Sequence, residues 1–165
     1  MNLFPVLLAL TLTITGCSGS EAADDLPAAK RPTIAHLDPD LRAAVVDAAA
    51  DARADGVRVS VTSGWRSKAH QERLLEDAVQ KYGSVSAALH WVSTPDTSAH
   101  VTGDAVDIGP NREADAWLSE HGSAYGLCQT FANEPWHFEL ATDPGGDCPE
   151  MLPDSSYRES GPSAG

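Results

Sequence analysis

Two short segments set the strongest constraint on how this chain can fold. In Ser98-Ala99-His100-Val101-Thr102-Gly103-Asp104-Ala105-Val106-Asp107-Ile108 an imidazole stands seven residues before a carboxylate, and in Glu134-Pro135-Trp136-His137-Phe138-Glu139 a carboxylate stands three residues before an imidazole. Side chains alternate between the faces of a strand, so odd offsets of seven and three send each pair to opposite sides of a straight one. If the four groups are to meet, the chain must bend between the members of each pair. Gly103 and Pro135 stand where those bends are needed, because glycine admits conformations closed to other residues and proline fixes φ and interrupts a ladder.

The residue types point to metal-assisted hydrolysis. A hydrolytic zinc site takes three nitrogen or oxygen ligands from the protein, leaves a fourth position to water, and needs a separate base for that water's proton. His100, Asp107 and His137 are the candidate ligands of one Zn²⁺ ion, and Glu134 is the candidate base. Glu139 shares strand parity with His137 and can orient its ring. His36, His70, His90 and His121 read as surface or structural histidines, and Trp65, Trp91 and Trp117 as core or pocket wall.

The pattern around these segments predicts an α+β fold. Asp38-Pro39 reads as a cap and first helical position, with Leu41, Val45, Ala48, Ala49 and Ala52 recurring on one face until Gly56. Val57 to Thr62 alternates as a half-buried strand, Ser63-Gly64-Trp65-Arg66 turns, and Ser67 caps a helix with Leu74, Leu75 and Ala78 inward before Gly83. Short elements follow: a helix over Ser84 to Trp91, a strand over Asp104 to Ile108, a helix over Asn111 to His121 with Trp117 and Leu118 inward, and a strand over Trp136 to Leu140. Without a regular βαβ repeat, the sheet is expected to be antiparallel or mixed.

The ends carry a different signature. Leu3 to Ile14 is an apolar run too short to span a bilayer as a helix, rising about 18 Å, and it reads as a signal segment. Ile14-Thr15-Gly16-Cys17 resembles a bacterial lipobox, which implies a signal peptide over residues 1–16, lipidation of Cys17 and a membrane anchor; the alternative is ordinary cleavage and secretion. Residues 17–35 then form a flexible linker, 36–150 the folded domain, and 151–165 a flexible tail. Cys128 and Cys148 suggest a disulfide in an exported chain, with a thiolate metal site as the competing reading. The net charge is −13, with few and scattered cations, which excludes nucleic acid as a partner; a monomer is expected.

The patterns S-x-H-x-x-G-x-A-x-D and E-P-W-H, following S-G-W-R-S, resemble the VanY-type zinc D-alanyl-D-alanine carboxypeptidases of bacterial cell-wall metabolism over about residues 57 to 140. The resemblance implies the small single-domain Hedgehog/DD-peptidase-like fold, Zn²⁺ on His100, Asp107 and His137, and Glu134 as general base and later acid. It also implies that Arg66 holds the substrate carbonyl oxygen as it becomes an oxyanion, and that Gln71 and Ser98 help bind the substrate's terminal carboxylate, with Ser63 and Trp136 lining the pocket. The expected activity is removal of the C-terminal D-Ala from peptidoglycan stem peptides outside the membrane. The alternatives are an endopeptidase or D,D-dipeptidase on the same site, or a catalytically silent zinc-containing wall-binding lipoprotein. Zn²⁺, Asp107 and ionised Glu134 sum to about zero and Arg66 adds one positive charge, so an anionic peptide terminus can enter despite the acidity of the whole chain.

Overall fold

Asp38 opens the long helix α1 (Pro39–Ala54), its Oδ1 accepting from the backbone N–H of Asp40 at 2.9 Å and of Leu41 at 3.1 Å. The computed structural model describes residues 34–159. Cys17, the signal segment and all of the expected linker but Ile34 and Ala35 lie outside the described residues. Along α1, Leu41, Val45, Ala48 and Ala52 are buried, as their spacing predicts. Among the described residues no helix is long and apolar enough to cross a membrane.

Four strands make one antiparallel sheet in the order β1-β2-β4-β3: β1 (Val61–Ser63), β2 (Ala105–Ile108), β3 (Leu127–Gln129) and β4 (His137–Leu140). The expected strand from Val57 is shorter than its alternation suggests. Val57 and Val61 are buried and Val59 packs against the core, yet the Val57 N–H donates to the Ala52 carbonyl at 2.8 Å, closing the end of α1 instead of entering the ladder. A register irregularity then lies between Val61 and Ser63.

The remaining helices are α2 (Lys68–Tyr82), α3 (Val85–Ala88), α4 (Ala99–Thr102), α5 (Arg112–His121) and α6 (Ser156–Glu159), with a 3₁₀ turn over Gly122–Tyr125. Val106 and Phe138 are register partners and fully buried; with Ile108 and Leu127 they join α1 and the α5 residues Trp117 and Leu118 in the core. Asp107 and His137, the next pair, face the other way. Leu74 and Leu75 are only partly buried, while Gln71 is 1% exposed, so α2 presents a polar residue where the pattern predicts an apolar face.

The C-terminal residues correct the expected boundary at 150. Leu152 bridges to Phe131, its N–H donating to Thr130 and its carbonyl accepting from Ala132, and Ser155 is buried with its hydroxyl donating to the Leu89 carbonyl at 2.6 Å. The folded domain therefore runs at least to Glu159. Its attachments are mostly polar, which is why apolar periodicity does not reveal them. Cys128 and Cys148 form a disulfide with Cα atoms 5.7 Å apart, which removes the thiolate-site reading.

Gly103 makes the first of the two required bends. It ends α4 at φ +92°, and its carbonyl accepts from the Asp38 N–H at 3.0 Å, locking the bend to the start of α1. A Cβ there would meet the His36 carbonyl oxygen at 2.6 Å. Gly103→Ala is therefore expected to destabilise the domain by about 2 kcal/mol or more, combining left-handed backbone strain with a backbone clash; a urea midpoint equal to that of the parent chain would contradict this.

Candidate active site

The β2–β4 register sets Asp107 beside His137, and the α4 turn brings His100 in from above the strand ends. His100 Nδ1 lies 2.8 Å from the Gly64 carbonyl oxygen, which can only accept, so Nδ1 carries the ring proton and Nε2 turns its lone pair inward. That Nε2 is 3.2 Å from Asp107 Oδ1, and His137 Nδ1 is 3.1 Å from the same oxygen. On its far side His137 Nε2 is 2.7 Å from Glu139 Oε1. His100, Asp107 and His137 thus offer donor atoms that all lie within 4.8 Å of one another. His36, His70, His90 and His121 are not part of this group.

Pro135 makes the second bend. The His137 N–H donates to the Glu134 carbonyl at 3.0 Å, closing a turn that folds Glu134 back over the start of β4. Glu134 is buried, and its Oε1 has no hydrogen-bond partner. It lines a cavity of about 240 Å³ together with Arg66, Gln71, Ser98, Trp136 and the three clustered residues.

Arg66 reaches the cavity from the turn before α2. Its Nε donates to Ser63 Oγ at 3.0 Å, Nη1 to Gln71 Oε1 at 3.3 Å and Nη2 to Asp107 Oδ2 at 2.5 Å. Three of the five guanidinium N–H groups are so engaged, leaving one on each terminal nitrogen. Gln71 is held in turn by donation to the Ser93 carbonyl at 2.9 Å. Ser63, expected as a pocket wall, instead braces Arg66 from outside the cavity, because it sits across the sheet register from Asp107. Leu74, Trp91, Phe131 and Ser155 also line the cavity. Trp91 was legible as a pocket wall; Phe131 and Ser155 carry no local motif.

The electrostatics follow from burial against close partners. Burial opposes charge on Asp107, but the close approach of His100 and His137 outweighs it and holds the carboxyl far below the usual carboxylate range. Burial likewise opposes charge on His137, yet its bonds to Asp107 and Glu139 push it up to about 9. His100 is lowered, mainly by burial, and stays neutral. Glu134 is pushed up to about 7, chiefly by burial, with the charge on His137 opposing and that on Asp107 adding.

Two imidazole nitrogens and a carboxylate oxygen suit a divalent cation such as zinc. The local geometry fits one as well: neutral His100 turns an acceptor nitrogen toward an acceptor oxygen of Asp107, with no proton between them, an arrangement a cation resolves. Glu134, the remaining acid, faces the same cavity without a partner.

Residues 35–143 match the family profile VanY: D-alanyl-D-alanine carboxypeptidase. The chain is similar to a D-alanyl-D-alanine carboxypeptidase of Enterococcus faecalis, 34% identical over 111 residues, covering 53% of this chain and 41% of that protein, so it spans less than half of that relative. Among solved structures it is similar to a mutant of the vancomycin-resistance D,D-pentapeptidase VanY from a VanB-type cassette in complex with Zn(II), with TM-score 0.59, 30% identity, and coverage of 62% of this chain and 71% of that one. It is also similar to VanYB in complex with D-alanine-D-alanine, with TM-score 0.59, 28% identity, and coverage of 62% and 70%.

A metal-free site with His137 held near pH 9 must release that proton before Nδ1 can act as a ligand. If zinc is held by these residues, its affinity is expected to rise about tenfold per pH unit below 9 and to flatten above it, with proton uptake by the buffer visible in calorimetry. Because the folded pKa is raised, the matching contribution to apo-domain stability is complete below the ordinary histidine value and lost as pH passes 9. Zinc affinity independent of pH between 6 and 9 would contradict the assignment of His137.

Proposed function

The chain belongs to the VanY D-alanyl-D-alanine carboxypeptidase family, and from that premise we propose that it removes the C-terminal D-Ala from peptidoglycan stem peptides in a zinc-dependent hydrolysis. The observation that carries the proposal is the convergence of His100, Asp107 and His137 beside a buried acid, Glu134, that has no partner of its own.

A divalent cation on those three residues would supply Lewis-acid polarisation of the scissile carbonyl and make water acidic enough to lose a proton near neutral pH. Glu134, unpaired and desolvated, takes up the proton of the attacking water and returns it to the leaving amine. Arg66, with a spare N–H on each terminal nitrogen, donates to the carbonyl oxygen as charge develops there, and Ser63, Gln71 and Asp107 hold its guanidinium in place. Gln71 and Ser98 are buried in the cavity wall, where they can meet the terminal carboxylate of a peptide. Asp107 and Trp136 also border an open groove of about 650 Å³ that includes Thr62, Asn111 and Arg112, with room for the rest of the peptide.

The deciding experiment incubates the purified chain with a synthetic stem pentapeptide and, separately, with free D-Ala-D-Ala, each with zinc or with a chelator, and identifies products by mass. Loss of one alanine that the chelator abolishes supports the carboxypeptidase. An internal cut supports an endopeptidase, cleavage confined to the free dipeptide supports a D,D-dipeptidase, and no product under zinc repletion supports a silent wall-binding protein. Glu134→Gln is expected to keep zinc at parental stoichiometry while kcat falls about 10³-fold; near-parental turnover would remove Glu134 from the role of base.

The same proposal places the domain outside the cytoplasmic membrane on a lipid at Cys17, and the Cys128–Cys148 disulfide supports an oxidising compartment. Cys17→Ser is expected to move the protein from the membrane fraction to the soluble fraction; unchanged partitioning would refute the anchor.

A further inference from the structure

We infer that Arg158, on the C-terminal helix α6, is a positioning residue that sets the ring of the metal ligand His137 by acting through Glu139. The inference rests on the proposed metal site, and it concerns a segment beyond residues 35–143, where the family match lies.

An imidazole can present Nδ1 to a cation only if its proton sits on Nε2, and the partner of Nε2 decides both the tautomer and the tilt of the ring. For buried His137 that partner is Glu139, at 2.7 Å. A lone carboxylate can rotate about its last bond, so the next question is what holds Glu139. Arg158 does so with both arms of its fork: Nη1 donates to Oε1 and Nη2 to Oε2, each at 2.9 Å. Two parallel bonds fix the plane of the carboxylate, which a single ammonium contact cannot do.

Arg158 is itself constrained. Its guanidinium lies over the Phe131 ring, 4.9 Å from the centroid, and the same ring packs against His137 with centroids 5.2 Å apart. The neighbouring Glu159 accepts from the Thr94 N–H and hydroxyl at 3.0 Å and from the Thr97 hydroxyl. Asp154 pairs with His90 at 2.7 Å. Arg158, Glu139 and His137 therefore form a continuous chain of bonds from an anchored segment to the donor cluster.

The test uses the full-length chain and reads metal binding rather than turnover. Zinc dissociation constants come from chelator competition, and ligand-field geometry from the visible spectrum of the Co(II)-substituted protein. Arg158→Ala is expected to raise the zinc dissociation constant about 10- to 100-fold and to shift the Co(II) bands, with Arg158→Lys intermediate. Asp154→Asn loosens the same segment without touching Glu139, and it is expected to keep parental values in both measurements. Parental affinity and spectrum in a folded Arg158→Ala protein would overturn the inference, and so would an equal loss in Asp154→Asn. Should the alanine variant fail to fold, the lysine variant decides alone: weakened zinc binding with shifted bands supports the role, and parental values refute it. A parental chain that binds neither metal would instead refute the proposed metal site, so the two failures are distinguishable.

Discussion

The antiparallel pairing of Asp107 with His137 is the contact on which the rest of the structure depends. Directly opposed residues of neighbouring strands bring their side chains together on one face, and the next pair falls on the other. The same register that joins Asp107 to His137 also buries Val106 against Phe138. A slip of one residue would turn the polar pair into the core and the apolar pair out of it, so the hydrophobic effect itself guards the geometry of the site. The bends at Gly103 and Pro135 then add His100 and Glu134 to a position the sheet has already defined.

Charge burial on the polar face is balanced pair by pair. Asp107 meets Arg66 and two imidazoles, and Glu139 meets Arg158 and His137. Buried ionised groups persist when each finds such a partner and are costly when one does not. Glu134 is the exception, and its carboxyl is accordingly pushed up to about 7 by burial. The polar face thus pairs Asp107 and Glu139 with cations and leaves Glu134 Oε1 without a hydrogen bond, the kind of perturbed acid that clusters at functional sites.

Legibility in the sequence followed the range of the interactions. His100, Asp107, Glu134 and His137 stood out because each pair is local and its spacing demands a bend beside Gly103 or Pro135. The Asp38 cap and the buried stripe of α1 were equally readable, since both are encoded within a few residues. Residues that act across the fold gave weaker signals. Gln71 occupies an apolar phase of α2 but is polar, and its burial depends on Arg66 and the distant Ser93 carbonyl. Ser63 looked like a wall and serves as a brace. Ser155, Arg158 and Glu159 sit in a stretch with the composition of a tail and are ordered by hydrogen bonds to residues about 20 to 66 positions away, which no local pattern records.

The division of labour between the two faces of the sheet has an evolutionary consequence. Cohesion comes from α1, α5 and the apolar strand residues, whereas Leu74, Trp91 and Ser155 border the cavity from helices and connectors on the opposite side. Substitutions at those bordering positions can accumulate without eroding the packed interior, so the cavity can change shape over evolutionary time while the sheet beneath it stays as it is.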